Sequence, residues 1–298
     1  MVKLGEMYRK LTEPDFKLLR FFVKNLKRFE YIPVDYIAAR FRKVPPKELD
    51  ARLRKLHRLK MLERHPTMNA YRLTSLGLDC VALKALVDRG LLKAIGDRIG
   101  VGKESDIYSA ITDNDELVAV KFFKIGRTSF RHAAKVRDYG VDFEKGTWLV
   151  RSIIAGRRER DALKVLNEYG VPNVPKLYGG ALHAVVISYI SGRELYEIKE
   201  LEDPKGVLDQ IIECIRHAYW KAKIVHGDLS EYNIIVEVRD GKEVPIVIDW
   251  PQFVTTVEPM ARQLLERDVN YIVRFFNKRF DLDIDWREVL NYVLTPLE

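Results

Sequence analysis

The 298-residue sequence predicts an α+β fold in two parts, a small basic helical domain closed by short strands and a larger two-lobed domain after it. Three observations carry this reading. Positive charge is confined to the first 90 residues, where 21 Lys and Arg stand against 10 Asp and Glu, a net of +11; the other 208 residues hold 30 against 33, a net of −3. A glycine-rich turn at residues 100–108 precedes an apolar run, 117–123, that contains a single lysine. A polar loop at residues 226–233 lies between apolar segments, and the second of these leads to Asp249.

The N-terminal elements follow in order. Helical periodicity covers residues 14–29, 34–41 and 46–60, and strand-like stretches at 62–64 and 71–73 flank a turn at 65–70. Three helices followed by such a hairpin describe a winged helix over residues 1–75. The third helix sets Leu49, Leu53 and Leu56 at helical spacing and carries Arg52, Arg54, Lys55 and Arg58 on its other faces. Those four cations suit a phosphate backbone. Few Asn or Gln accompany them for reading base edges, so positioning on a folded RNA is expected rather than sequence-specific DNA binding. A solvated face or a protein-docking face remains the alternative. A connecting helix is expected over 76–90, with its pattern at 76–89.

The larger domain is expected over residues 91–298, as an N-lobe (91–187), a hinge (188–192) and a C-lobe (193–298). Gly100 and Gly102 let the backbone approach phosphates, and Lys121, alone in an apolar strand, is the phosphate-anchor candidate. A strand-edge lysine is the plainer alternative. Residues 155–170 read as a helix whose apolar stripe includes Ala162, Leu163 and Leu166; Glu159 shares that side and is the expected partner of Lys121, with a solvated acid as the alternative. Two apolar runs within 174–192, joined by Gly179-Gly180, are core strands, with Ile187 as an adenine wall and the main chain of Ser188 and Ile190 as its polar edge.

Asp228 and Asn233 on one tight loop, with Asp249 at a strand end, form the oxygen set that phosphoryl transfer needs. One carboxylate, Asp228, orients and deprotonates the attacking hydroxyl; the amide of Asn233 and the carboxylate of Asp249 hold Mg²⁺ (or Mn²⁺) on ATP. Helical patterns at 259–280 and 286–297 complete the domain. No Ala-Pro-Glu motif follows Asp249, so a broad peptide-docking surface is not expected.

Taken with Gly126-Arg-Thr-Ser-Phe-Arg131, Arg137-Asp-Tyr139, Ile248-Asp-Trp-Pro-Gln252 and Leu264-Leu-Glu-Arg-Asp-Val269, these motifs give the chain its likeness to a known group. It resembles the RIO-type atypical serine/threonine protein kinases, in the winged-helix-bearing subfamily and its short archaeal form. The resemblance implies that Lys103 and Ser105 contact the triphosphate, that Asp249 can be transiently phosphorylated, and that Ser129 is an autophosphorylation site. It also implies that Asp268 braces the catalytic loop, and that the protein acts as an assembly factor on small ribosomal subunit precursors, meeting their rRNA and assembly proteins. Two positions depart from the pattern: Trp250 replaces a usual Phe, and Ser188 an acidic hinge residue. A small-molecule phosphotransferase of the aminoglycoside or choline type, and a non-enzymatic nucleic-acid-binding regulator, are the alternatives.

Cys80 and Cys214 lack Cys-x-x-Cys spacing, so neither zinc nor a disulfide framework is indicated. No apolar run approaches the ~18 residues a bilayer span requires, and a cytoplasmic location without membrane partners is expected. The polar, basic stretch at 127–145 reads as a mobile loop.

Overall fold

The structure, a computed structural model, describes residues 4–102, 104–126 and 148–297. Lys103, Ser129 and the loop expected at 127–145 lie outside the described residues. The chain divides into two compact units, one of residues 1–156 with 180–186 and the other of 157–179 with 187–298.

In the first unit, helices α1 (Leu4–Arg9) and α2 (Glu13–Lys24) pack on α5 (Ser75–Asp88). Between them come β1 (Ile32–Pro33), α3 (Val34–Arg40), α4 (Pro46–Arg58), β2 (Leu62–Arg64) and β3 (Ala70–Leu73), with the strands in the order β1-β3-β2. This is the helix order and hairpin of a winged helix. Leu49, Leu53 and Leu56 of α4 are buried against a core that includes Phe16, Leu19, Phe22 and Ile37. Helix α2 stops earlier than its hydrophobic pattern because Asn25 closes it, its side-chain amide donating to the Phe21 carbonyl at 2.9 Å. Helix α4 stops short of Lys60, whose φ of 59° is left-handed.

The strands β4 (Ala94–Val101), β5 (Ser105–Ile111) and β6 (Leu117–Phe123) form an antiparallel meander. They belong to a five-stranded sheet ordered β4-β5-β6-β8-β7, with β7 at Leu177–Ala181 and β8 at Ala184–Ser188. Helix α6 (Trp148–Glu168) begins well before residue 155, where the sequence pattern places its start. Ser152 explains the extension: its hydroxyl donates to the Trp148 carbonyl at 3.0 Å and accepts the Ile125 N–H at 3.0 Å, tying the first turn to the end of β6. Just past β6, Lys124 is buried and binds Asp79 of α5 and, at 2.6 Å, the Ser75 hydroxyl; His183 Nε2 meets the same Asp79 oxygen at 2.7 Å. Burial alone would raise the Asp79 carboxyl, but Lys124 and His183 hold it below the ordinary range.

The second unit is built on an antiparallel sheet ordered β12-β11-β9, with β9 at Gly192–Glu194, β11 at Ile234–Arg239 and β12 at Lys242–Val247. A two-stranded ribbon joins β10 (Ile224–Val225) to β13 (Val254–Thr255). Helices α7 (Pro204–His217), α8 (Ala261–Phe280) and α9 (Trp286–Leu294) pack together through Ile211, Ile215, Leu265, Ile272, Phe276 and Val293, among other buried side chains. Helix α9 ends at Leu294 rather than 297 because Pro296 disfavours helical backbone at Thr295. Both cysteines are buried and unpaired, and burial pushes both thiols up. Among the described residues no helix is long and apolar enough to cross a membrane.

Candidate active site

In the first unit, β4 and β5 meet through the pairs Gly100↔Ile107 and Val101↔Asp106, and the Gly102 N–H closes the turn on the Ser105 carbonyl at 2.9 Å. Gly100, Gly102 and Ser105 thus sit at the tip of one hairpin. Lys121 lies opposite Ile107 on β6, is only 5% exposed, and holds its Nζ 4.7 Å from the centre of the Phe123 ring. A lysine buried this far keeps its charge only in a site that supplies negative partners.

In the second unit, Ile187 is buried and Ser188 directs its N–H to the Lys176 carbonyl at 2.9 Å, so at Ser188 the main-chain group left for a ligand is the carbonyl. Gly192 is required two residues past Ile190: a Cβ there would stand 2.3 Å from the Val236 carbonyl oxygen.

The loop between β10 and β11 carries Asp228 and Asn233, and a chain of hydrogen bonds fixes it. The Asn233 side-chain N–H donates to the Asp228 carbonyl at 2.7 Å, which turns its Oδ1 away from that bond. The Asn233 carbonyl in turn accepts the Ile248 N–H at 2.9 Å. His226 links the same two segments, accepting the Asp228 N–H at Nδ1 (3.2 Å) and approaching the Ile248 carbonyl with Nε2 (3.0 Å), a pattern that requires the proton on Nε2. Beneath the loop, buried Asp268 of α8 accepts the N–H of Gly227 at 2.8 Å and of Leu229 at 3.3 Å. Burial raises its carboxyl above the usual range despite the nearby His226 and Arg267. Gly227 must be glycine: its φ is 77° and a Cβ would approach the Gln252 carbonyl to 2.9 Å.

Asp249 has a left-handed φ of 66°, uncommon for a residue with a Cβ. Its neighbours on both sides are clamped. Ile248 is bound to Asn233 as above, and the Trp250 N–H donates to Glu159 Oε2 at 2.6 Å. Glu159, 1% exposed on α6, therefore faces the core with Leu163 and Leu166, while Asp161 points outward to Arg157. Within this unit its bond goes to the backbone after Asp249, a contact that the sequence pattern does not reveal. The Trp250 indole donates to the Val247 carbonyl at 3.0 Å and packs its ring on His226 at 4.6 Å, so the larger aromatic is accommodated fully buried. Arg158 also escaped the sequence reading: it donates to the Pro251 carbonyl at 2.6 Å and to that of Phe253.

Among the described residues no cluster of three or more His, Cys, Asp or Glu forms a metal site. An amide and a carboxylate completed by phosphate oxygens and water is instead the usual magnesium arrangement, and Asn233 and Asp249 fit it. The carboxyl of nearby Glu194 is raised by burial and, to a lesser extent, by the negative charge of Glu197 and Asp249.

On α4, two of the four phosphate-contact candidates are half-buried and bind the buried Asp15. Asp15, whose side chain is fully buried, accepts from Lys55 at 2.5 Å and Arg52 at 3.2 Å, and Arg52 also binds Glu48 at 2.6 Å. Arg54 is exposed, paired with exposed Asp50 at 2.7 Å, and Arg58 is exposed.

A small basic winged helix joined to a phosphoryl-transfer constellation defines a class of protein kinase. Residues 106–289 match the family model described as RIO domain, and residues 8–89 match that described as Rio2, N-terminal. The RIO-type serine/threonine-protein kinase Rio2 of Methanocaldococcus jannaschii is 33% identical over 278 residues, spanning 90% of this chain and 99% of that protein. The Schizosaccharomyces pombe serine/threonine-protein kinase rio2 is 32% identical over 94% of this chain and 80% of its own length; the Dictyostelium discoideum rio2 is 35% identical over 92% of this chain but 51% of its own. The crystal structure of the Rio2 kinase–ADP/Mg²⁺–phosphoaspartate complex from Chaetomium thermophilum superimposes with a TM-score of 0.79 at 29% identity, covering 96% of this chain and 88% of that one. The chain belongs to the RIO family of serine/threonine-protein kinases, in its Rio2 branch.

Proposed function

We propose that the chain binds ATP with Mg²⁺ (Mn²⁺ serving in its place) and transfers the γ-phosphoryl group while acting as an assembly factor on small ribosomal subunit precursors. The hydrogen-bonded link from Asp228 through Asn233 to Ile248, next to Asp249, supports this reading, because it ties the proposed base and the proposed metal ligands to one support. Asp228 takes the hydroxyl proton as an acceptor oxygen bonds to the γ-phosphorus and the bond to the leaving ADP oxygen breaks. Asn233 and Asp249 hold the cation, which neutralises charge on the phosphates. Gly100, Gly102, Lys103, Ser105, Lys121 and Glu159 are assigned to the triphosphate, and Ile187, Ser188 and Ile190 to the adenine.

The phosphoaspartate of the Chaetomium Rio2 complex supports Asp249 as a second acceptor, whose acyl phosphate water then hydrolyses. Ser129 is the proposed autophosphorylation site. The partition into a winged helix (1–75), a connecting helix (76–90) and a kinase domain (91–298) assigns rRNA contact to the first part and chemistry to the last, in a cytoplasmic protein. Nucleotide turnover with and without purified small-subunit precursor tests the reading. Asp228→Asn should retain ATP binding and lose roughly 10²–10⁴ in rate. Near-normal turnover in that variant would remove Asp228 from the role of base.

A further inference from the structure

An open depression of about 940 Å³ lies on the second unit beside the catalytic loop, and none of the roles assigned so far uses it. It is lined on one side by Glu231 and on the other by α8 residues that include Asn270, Tyr271, Arg274, Phe275 and Lys278. Asn270, Arg274 and Lys278 recur every four residues, so they form one stripe along the helix. The opposite face, with Val269, Ile272, Val273 and Phe276, is buried in the core.

The depression is electrically two-ended. At the end near the loop, Glu231 Oε2 and Asn270 Oδ1 are buried acceptors with no donor among the described residues. Tyr271 reaches only the other Glu231 oxygen, at 3.5 Å. One and two turns along α8, Arg274 and Lys278 are exposed and pair with no acid among the described residues. The carboxylate of Glu231 at one end and the exposed cations Arg274 and Lys278 at the other favour a ligand of the opposite polarity, positive at the Glu231 end and negative beyond it. Nucleic acid does not fit that description, because its phosphates would run against Glu231.

Glu231 is three positions after Asp228, so its Cα lies within roughly 11 Å of that residue's. Asn270 and Lys278 are about 12 Å apart along the helix, the length of three to four extended residues. We infer that this depression docks the protein segment that carries the phosphoacceptor. Its segment has a basic residue close to the acceptor serine, held by Glu231 and Asn270, and acidic residues about two positions beyond that basic residue, held by Arg274, and about three to four positions beyond it, held by Lys278. The inference rests on the proposed phosphoryl transfer at Asp228 and names its acceptor class.

The test uses the full-length chain, ATP and serine peptides in which one position at a time is fixed as Lys or Glu. The parent should favour Lys next to the serine and Glu about two to four positions beyond that Lys, the latter by about five- to tenfold for two exposed charge contacts. In Arg274→Glu/Lys278→Glu the distal preference should invert to Lys; if charge reversal lowers thermal stability, Arg274→Gln/Lys278→Gln should abolish it. Identical position preferences in parent and variants would overturn the inference. So would a parent that turns over ATP but phosphorylates none of the peptides, or variants that lose only small-subunit rRNA binding. A parent that neither hydrolyses ATP nor phosphorylates itself would instead count against the assignment of Asp228 and Asp249.

Discussion

Asp249 shows how single residues are held for chemistry. A left-handed backbone is unfavourable for a residue with a Cβ by about 1–2 kcal/mol, and it persists because the N–H groups on both sides are fixed, one by Asn233 and one by Glu159. Glu159 therefore has a job that its charge alone does not describe. Glu159→Gln keeps an acceptor for the Trp250 N–H, whereas Glu159→Ala leaves that buried donor unpaired, at about 1–3 kcal/mol. The alanine variant should be the less stable of the two in denaturant unfolding and should lose more ATP turnover. Equal losses would show that the carboxylate charge, not the acceptor, is what the site needs. That Asp228 and Asn233 share one loop, tied through Asn233 to the residue before Asp249, was legible from the residue types and spacing that the proposed reaction would demand. The contacts of Glu159, His226 and Arg158 were not, since a side chain bonding to a distant backbone leaves no local pattern.

At the scale of elements, α4 separates two kinds of cation that look alike in sequence. Arg52 and Lys55 neutralise a buried carboxylate and belong to the packing of α2 on α4; Arg54 and Arg58 face solvent. Replacing Arg52 and Lys55 should lower thermal stability, since the buried Asp15 carboxylate then loses its charged donors and keeps only Thr12, at a cost of about 1–3 kcal/mol. Arg54→Glu/Arg58→Glu should leave stability within ~0.5 kcal/mol and weaken rRNA binding, flattening its salt dependence by roughly one unit of slope per lost phosphate contact. Unchanged affinity and slope in that variant would make α4 a solvated face.

Asp15 adds a pH dependence. Burial alone would raise its carboxyl, but Lys55 and Thr12 more than offset this and hold it below the ordinary value. A lowered folded-state pKa contributes stability that is present above the unfolded value near ~3.9 and is lost as pH falls through the folded one. Asp15→Asn should therefore be less stable at neutral pH, with a shallower acid limb below about pH 4 in pH-dependent unfolding.

At the scale of the whole molecule, nucleotide and metal should act as linked ligands of the folded state. ATP at a hundredfold excess over its Kd adds about 2.7 kcal/mol, so thermal melting should shift upward with ATP and further with Mg²⁺. Asp249→Ala should remove the magnesium-dependent part of the shift and retain much of the rest. A shift that keeps its full magnesium dependence in Asp249→Ala would place the cation on other ligands. The charge distribution is also a property at this scale: a surplus of +11 within the first 90 residues gives the chain one cationic part on an otherwise nearly balanced molecule.

The sequence by itself determined the order of elements, the winged-helix pattern, the glycine turn, the lone strand lysine and the Asp–Asn–Asp set, because periodicity and reaction chemistry are both local constraints. Element ends were less legible. The closing bond of Asn25 and the Ser152 hydroxyl that extends α6 act over a few atoms that hydrophobic period does not register. Tertiary structure alone decided which cations of α4 face solvent and that Asp268 supports two N–H groups from the far side of the loop. It also decided that Asn270, Arg274 and Lys278 line one open depression with Glu231. Each of these is a meeting of residues about 40 positions apart in the chain, or of several such residues at once. What a side chain meets at that separation is set by how elements pack, and one-dimensional spacing carries no record of it.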